Sequence, residues 1–175
     1  MATGTRTVRY AFPTLASIAD NTATALTQFT ATLSEQGKTF RRVVMTVSAR
    51  DIITATGGTI NSVTATCSVN GAGATSITNT NDYTNSGESM NPFWTFDFTS
   101  HFVTNWGTND TSRTVDSTIT IDQSTGTTLG LVDVCVTLAI TYDYDTATTT
   151  DGTKTIRIPL FTTAGALATS KPGTA

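Results

Sequence analysis

Hydrophobic and polar residues alternate with a two-residue period through most of the chain, the spacing expected of strands with one buried face. The longest run is Leu129–Tyr144. There Val132, Val134, Val136, Leu138, Ile140, Tyr142 and Tyr144 fall on one side, and Asp133, Thr137, Thr141 and Asp143 on the other. Read as one strand at about 3.3 Å per residue, it would span roughly 50 Å, long for a globular domain. Seven other runs carry the same beat: Arg6–Phe12, Leu26–Leu33, Thr39–Ala49, Ile60–Val69, Phe93–Phe98, Arg113–Gln123 and Lys154–Phe161. Val43 and Val44 are both apolar, which predicts burial on both faces at that point.

Gly, Asn, Asp and Ser clusters punctuate these runs. A turn is expected at Glu35–Lys38, a break at Thr56–Gly58, and a tight hairpin at Asn70-Gly71, a pair suited to positive φ. Ala72–Met90 reads as a long exposed loop anchored by Ile77 and Tyr83, with one short strand near Ala74–Thr78. Phe98, Phe102 and Trp106 are spaced by four, so a short helix capped by Thr99 or Ser100 is expected there. Ala16–Ala25 fits either a short helix or an irregular crossover. Pro159 marks the last run as an edge strand or a strand end. About eight strands without helical crossovers predict an all-β chain: a two-sheet antiparallel β-sandwich of jelly-roll or Greek-key type. The expected organisation is one domain over residues 1–175, with extended arms at about 1–7 and 164–175.

Composition sharpens this picture. About a quarter of the chain is threonine, whose branched β-carbon favours the pleated strand. Charged residues make up 13%, against a usual share of about 25%. Polar surface must therefore come from hydroxyls and amides, and weakly charged sheets associate readily. Assembly is the expectation. Net charge is −3, and Arg41-Arg42 is the only basic doublet, so phosphate-driven nucleic-acid binding is not expected. No run approaches about eighteen apolar residues, and no secretory h-region is visible, so we expect no membrane span and synthesis in a cytosol. Cys67 and Cys135 both fall in predicted strands; Cys67 aligns with Val63, Ala65 and Val69 as a small buried hydrophobe. Free thiols are expected, with a single disulfide as the rival.

Candidate chemistry is thin. His101 is the only imidazole, in a predicted aromatic-flanked turn, and is expected to hydrogen-bond locally. No catalytic, cofactor-binding or metal-binding residues are assigned and no cofactor is expected, since a triad or a zinc site needs imidazoles and thiols in closer sets. Asp97, Asp133, Asp143 and Asp145 lie on or near strands, which leaves a carboxylate-dependent hydrolase as a remote alternative. Asp143–Asp145 with Asp151-Gly152 has an acidic look, but lacks the ligand spacing of a calcium loop. Trp94, Trp106, Tyr83 and Asn105 suggest a sugar-binding platform, although Trp94 alternating with Phe96 and Phe98 favours core. Asn109–Thr111 matches a glycosylation sequon that a cytosolic chain would not use.

Three segments, Gly37–Arg50, Phe96–Phe102 and Thr127–Tyr142, resemble structural proteins of tailed bacteriophage particles. The resemblance implies a non-enzymatic virion component, with capsid decoration favoured over a tail role, and brings no functional residues with it. The expected partners are further copies of the chain, as a trimer or larger, and other virion proteins such as the major capsid protein. Nucleic acid and membrane are not expected partners. The rival function is a carbohydrate- or receptor-binding module built on the 72–90 loop and the Trp94–Trp106 region.

Overall fold

The computed structural model describes residues 15–18, 23–25, 29–33, 36–53, 58–71, 73–84, 91–124, 129–132, 134–145 and 152–160. The predicted strand Arg6–Phe12, both arms, the acidic Asp133 and the Asp151 turn lie outside them. The described chain is mostly β, with one short helix and two large antiparallel sheets. One sheet runs β13 (Gly152–Leu160), β12 (Cys135–Asp145), β4 (Gln36–Ser48), β9 (Phe93–Asp97). The other runs β2 (Ala23–Ala25), β10 (Ser112–Gln123), β6 (Thr59–Val69), β7 (Thr75–Asn79). β3 (Phe29–Thr32) also pairs with β10, and β8 (Tyr83–Thr84) with β6. A smaller sheet joins β1 (Leu15–Ile18), β11 (Leu129–Val132) and β5 (Asp51–Ile53).

The inward faces of the two large sheets meet in a single core. β4 contributes Val43, Met45 and Val47, β12 contributes Val136, Leu138, Ile140 and Tyr142, and β9 contributes Trp94 and Phe96. Facing them are Ile60, Val63, Ala65, Cys67 and Val69 of β6 and Val115, Ile119 and Ile121 of β10. Burial of each large apolar side chain is worth about 1.5–3 kcal/mol, so these positions carry most of the cohesion. Val44 is 9% exposed although it sits outside this core. Both faces of β4 are covered there, as the doubled valine suggested.

Two irregularities in β4 adjust which side chains point inward. Opposite β12 the register slips between Thr141 and Tyr142, which pair with Arg42 and Phe40. Arg41 and Arg42 both stay exposed, while Phe40 and Val43 both face the core. This is the geometry of a β-bulge, in which one extra residue reverses the alternation. Phe40 then meets Phe102, Trp106 and Tyr142 at centroid distances of 5.8, 5.7 and 6.1 Å. A second slip lies between Asp143 and Asp145, which pair with Thr39 and Gln36. Gly37 takes φ +60° there, a conformation glycine adopts without steric cost. The turn expected at Glu35–Lys38 is thus, over its described residues, a bulge within a strand, and Lys38 is turned in to 3% exposure.

Other expectations need correction. The run Leu129–Tyr144 is two strands in two sheets, because Leu131 and Val134 are both buried and no single two-residue alternation allows that. Within Ala16–Ala25 the described residues form β1 and β2 and no helix; the two strands belong to different sheets, in keeping with the crossover alternative. Asn70 and Gly71 take φ 54° and 70°, yet the hairpin is wide, with Cys67 and Thr75 its last partners. The Asn70 N–H goes instead to the Thr114 carbonyl of β10 at 2.7 Å. After Gly71, β7 matches the short strand expected near Ala74–Thr78, β8 is additional to it, and Ile77 and Tyr83 do pack against the core. Pro159 sits in β13 at the sheet margin, as anticipated.

Val136→Asp or Ile140→Asp is expected to cost about 3–5 kcal/mol or more, because a buried carboxylate without a partner must give up its hydration. Thr137→Asp, one position away and outward, should cost less than about 1 kcal/mol in the isolated chain. Urea midpoints of the three variants test this. Equal losses would refute the face assignment.

Candidate functional site

The helix α1 (Thr99–Asn105) follows β9 and closes one end of the sandwich. Its apolar stripe is the predicted one: Phe98 is 1% exposed, and Phe102 and Trp106 are fully buried. Val103 on the opposite side is 59% exposed. The helix start is capped by neither Thr99 nor Ser100. Phe98 is the N-cap and makes no side-chain cap bond, while Asp97 Oδ1 accepts the Thr99 N–H at 2.9 Å and also its hydroxyl proton. The Thr99 hydroxyl in turn accepts the Val43 N–H at 2.9 Å, and the Phe98 N–H donates to the Val43 carbonyl at 2.8 Å. Helix and β4 are thereby locked together where the bulge leaves off.

Between α1 and the start of β7 lies a surface cavity of about 400 Å³, more open than enclosed, lined by Gly73, Thr75, Asp97, Phe98, Ser100, His101, Thr104 and Asn105. His101 forms its structural centre at 8% exposure. Asn105, one helical turn on, donates from Nδ2 to the His101 carbonyl at 2.8 Å, which fixes the orientation of the amide. The same nitrogen lies 3.1 Å from His101 Nδ1, so Nδ1 accepts and the ring proton sits on Nε2. The Thr75 hydroxyl reaches Nδ1 from β7 at 2.9 Å. Nε2 is buried and has no partner among the described residues. Such an orphaned donor costs about 1–3 kcal/mol, which an apolar side chain of similar shape would avoid. Burial pushes the His101 pKa down from the ordinary 6.5, so the ring is neutral at pH 7. Among the described residues lining the cavity, Asp97 is the only Asp, Glu, Lys or Arg.

Local bonding of His101 was legible in the chain; its contact with Thr75, 26 residues away, was not. Thr75, Ser100 and Thr104 carried no signal, since they enter the site only through closure of β7 against α1. The sugar platform suggested by Trp94 and Trp106 does not form: both rings are fully buried, and their N–H groups donate to Asn81 O and Asp110 O at 3.0 and 2.8 Å. Tyr83 packs edge-on against Trp94 at 5.1 Å. Its hydroxyl lies 3.0 and 3.2 Å from the N–H and carbonyl of Phe93, blunting the free edge of β9. Of that set only Asn105 reaches the cavity.

The Thr75–His101 pair superficially resembles a nucleophile with its base. A working base is oriented through its second nitrogen, commonly by a carboxylate, and Nε2 here has no such neighbour among the described residues. The candidate carboxylates are not brought together either. Asp97 faces Val44 on β9, whereas Asp143 is opposite Thr39 on β12 and pairs with Arg41. The Asp133 position and the Asp145 side chain lie outside the described residues. Among those residues no three His, Cys, Asp or Glu cluster as metal ligands, and no helix is long and apolar enough to cross a membrane. Neither cysteine is in a disulfide; Cys67 is buried and Cys135 half-buried. Burial raises the Cys67 thiol to about 11. No family model matches the chain, and no curated protein or solved structure is similar to it.

Two outcomes follow from this chemistry. The folded state holds His101 below its unfolded pKa, so its contribution to stability is complete above about pH 6.5 and is lost as the pH falls through and below that value. Thermal melts between about pH 7.5 and 5 should show a decline that His101→Phe flattens; parallel curves for both proteins would refute it. Iodoacetamide at about pH 8 should label Cys135 in the native protein and Cys67 only after unfolding, because the thiolate is the reactive form. Mass spectrometry of the labelled peptides reads this directly.

Proposed function

We propose that this chain is a non-enzymatic structural protein of a bacteriophage virion. It assembles in many copies on the particle after synthesis in the host cytoplasm, with capsid decoration preferred over a tail role. The observation that carries the reading is the outward surface of the two large sheets. Cross-strand rows of uncharged residues line both: Thr137, Thr46 and Thr95 on one, Thr120, Thr64 and Thr78 beside Thr118, Thr66 and Ser76 on the other. Thr64 and Thr78, and Thr66 and Ser76, bond hydroxyl to hydroxyl at 2.8 Å. Hydroxyls that already satisfy one another lose little when water is displaced, whereas covering a charged face would carry a desolvation penalty. Phe93, 49% exposed at the margin of its sheet, adds an apolar contact.

The finer fold we assign is a sandwich of jelly-roll or Greek-key type. It is supported by nested pairing: β4 with β12 in one sheet, β6 with β10 in the other, and β7 beside β9 where the sheets meet. The outermost strands depart from a regular jelly roll, since β3 pairs with β10 and β13 with β12. A symmetric lattice of such sandwiches holds firmly through many modest contacts.

Light scattering after size exclusion should give a trimer or larger multiple of 18.4 kDa. The protein should also co-sediment with capsids lacking it, and binding should change by less than about threefold between roughly 0.15 and 1 M salt, as uncharged contacts are barely screened. A monomer that ignores both capsids and tails would overturn the proposal.

A further inference from the structure

We infer that the cavity between α1 and the start of β7 binds a neutral saccharide, one or two sugar units in size. Its volume of about 400 Å³ falls within the range of small-ligand sites, about 300–1,000 Å³. The inference is independent of assembly on a particle and rests on which hydrogen-bonding groups the walls have left over.

Asn105 spends its amide nitrogen on the His101 carbonyl and ring, so its carbonyl oxygen remains as an acceptor. Asp97 uses Oδ1 for Thr99, leaving Oδ2. Thr104 gives its hydroxyl proton to the Ser100 carbonyl at 2.9 Å, so its oxygen can only accept. The walls therefore offer acceptors in excess, and the complementary ligand is a donor of several O–H groups. A phosphate or carboxylate is disfavoured: among the described residues the lining holds the Asp97 carboxyl and no lysine or arginine, and the neutral His101 ring supplies no cation. A saccharide presents closely spaced hydroxyls that both donate and accept, which suits Ser100 and Thr75 as well.

His101 explains how the walls are kept in place. Its ring, 26 residues from Thr75 in the sequence, ties that β7 residue to Asn105 on α1, at the expense of an unpartnered Nε2. An apolar residue would pack the same space without that penalty, but would leave the two walls unconnected. We assign His101 as a positioning residue of this site.

A free sugar and the terminal unit of a surface glycan present the same hydroxyls, so the test has two arms. Thermal-shift and saturation-transfer NMR titrations with glucose, galactose, mannose and N-acetylglucosamine should give saturable binding for at least one, with Kd on the order of millimolar. Glucuronate and sialic acid should bind at least about tenfold more weakly than the best neutral sugar. A glycan array then distinguishes the sources: enhanced binding to glycans ending in that sugar assigns a surface glycan, and its absence beside free-sugar binding assigns the free sugar. Ser100→Tyr, at an exposed position, should fill the cavity and abolish binding while leaving the melting temperature, native mass and particle binding unchanged. Thr104→Val, which removes an acceptor, should weaken binding several-fold and serves where Ser100→Tyr perturbs folding. Absence of saturable binding to every sugar, equal binding of the anionic sugars, or full binding by a folded Ser100→Tyr protein would each overturn the inference.

Discussion

The register of β4 against β12 is the constraint on which the rest of the structure depends. Val47, Met45 and Val43 lie opposite Val136, Leu138 and Ile140, so two apolar rows form one continuous inner wall. A shift of one residue would turn every one of these side chains outward. The bulge at Arg41–Arg42 makes the wall longer than simple alternation allows, by bringing Phe40 in beside Tyr142, Phe102 and Trp106. It keeps two guanidinium groups in water while the backbone continues to pair.

That register also determines where the helix sits. The backbone of Val43 is taken up by Phe98 and Thr99, so the first turn of α1 is anchored at one height on β4. The position of His101 and Asn105 follows, and with it the wall of the cavity that β7 completes. On the outer surfaces the same alternation places threonine beside threonine across strands. One periodicity thus produces both the dry interior and an exterior of threonine rows, with Asp116 and Asp122 at their ends on β10.

Much of the architecture was legible in the chain. Phe93–Phe98 and Arg113–Gln123 emerge as strands almost as written, with Trp94, Phe96, Val115, Ile119 and Ile121 inward. The spacing by four of Phe98, Phe102 and Trp106, with a candidate cap at Thr99 or Ser100, marked a short helix. The failures share a cause. Gly37 signals positive φ without saying whether a turn or a bulge uses it, and Leu129–Tyr144 reads as one strand because the break occurs between two apolar residues. Whether Trp106 is platform or core depends on what packs over it, which no local pattern records.

What the sequence determined by itself is the class of the protein: branched, threonine-rich segments of period two can bury an apolar face only as sheets packed on one another, and sparse charge leaves their outer faces rich in hydroxyls. What only the tertiary structure decided is which strands pair, where β4 bulges, and that Thr75 meets His101 and Asn105. The reason is physical. Alternation is a property of neighbours a few residues apart, whereas pairing and cavity formation depend on the packing of segments far apart in the chain.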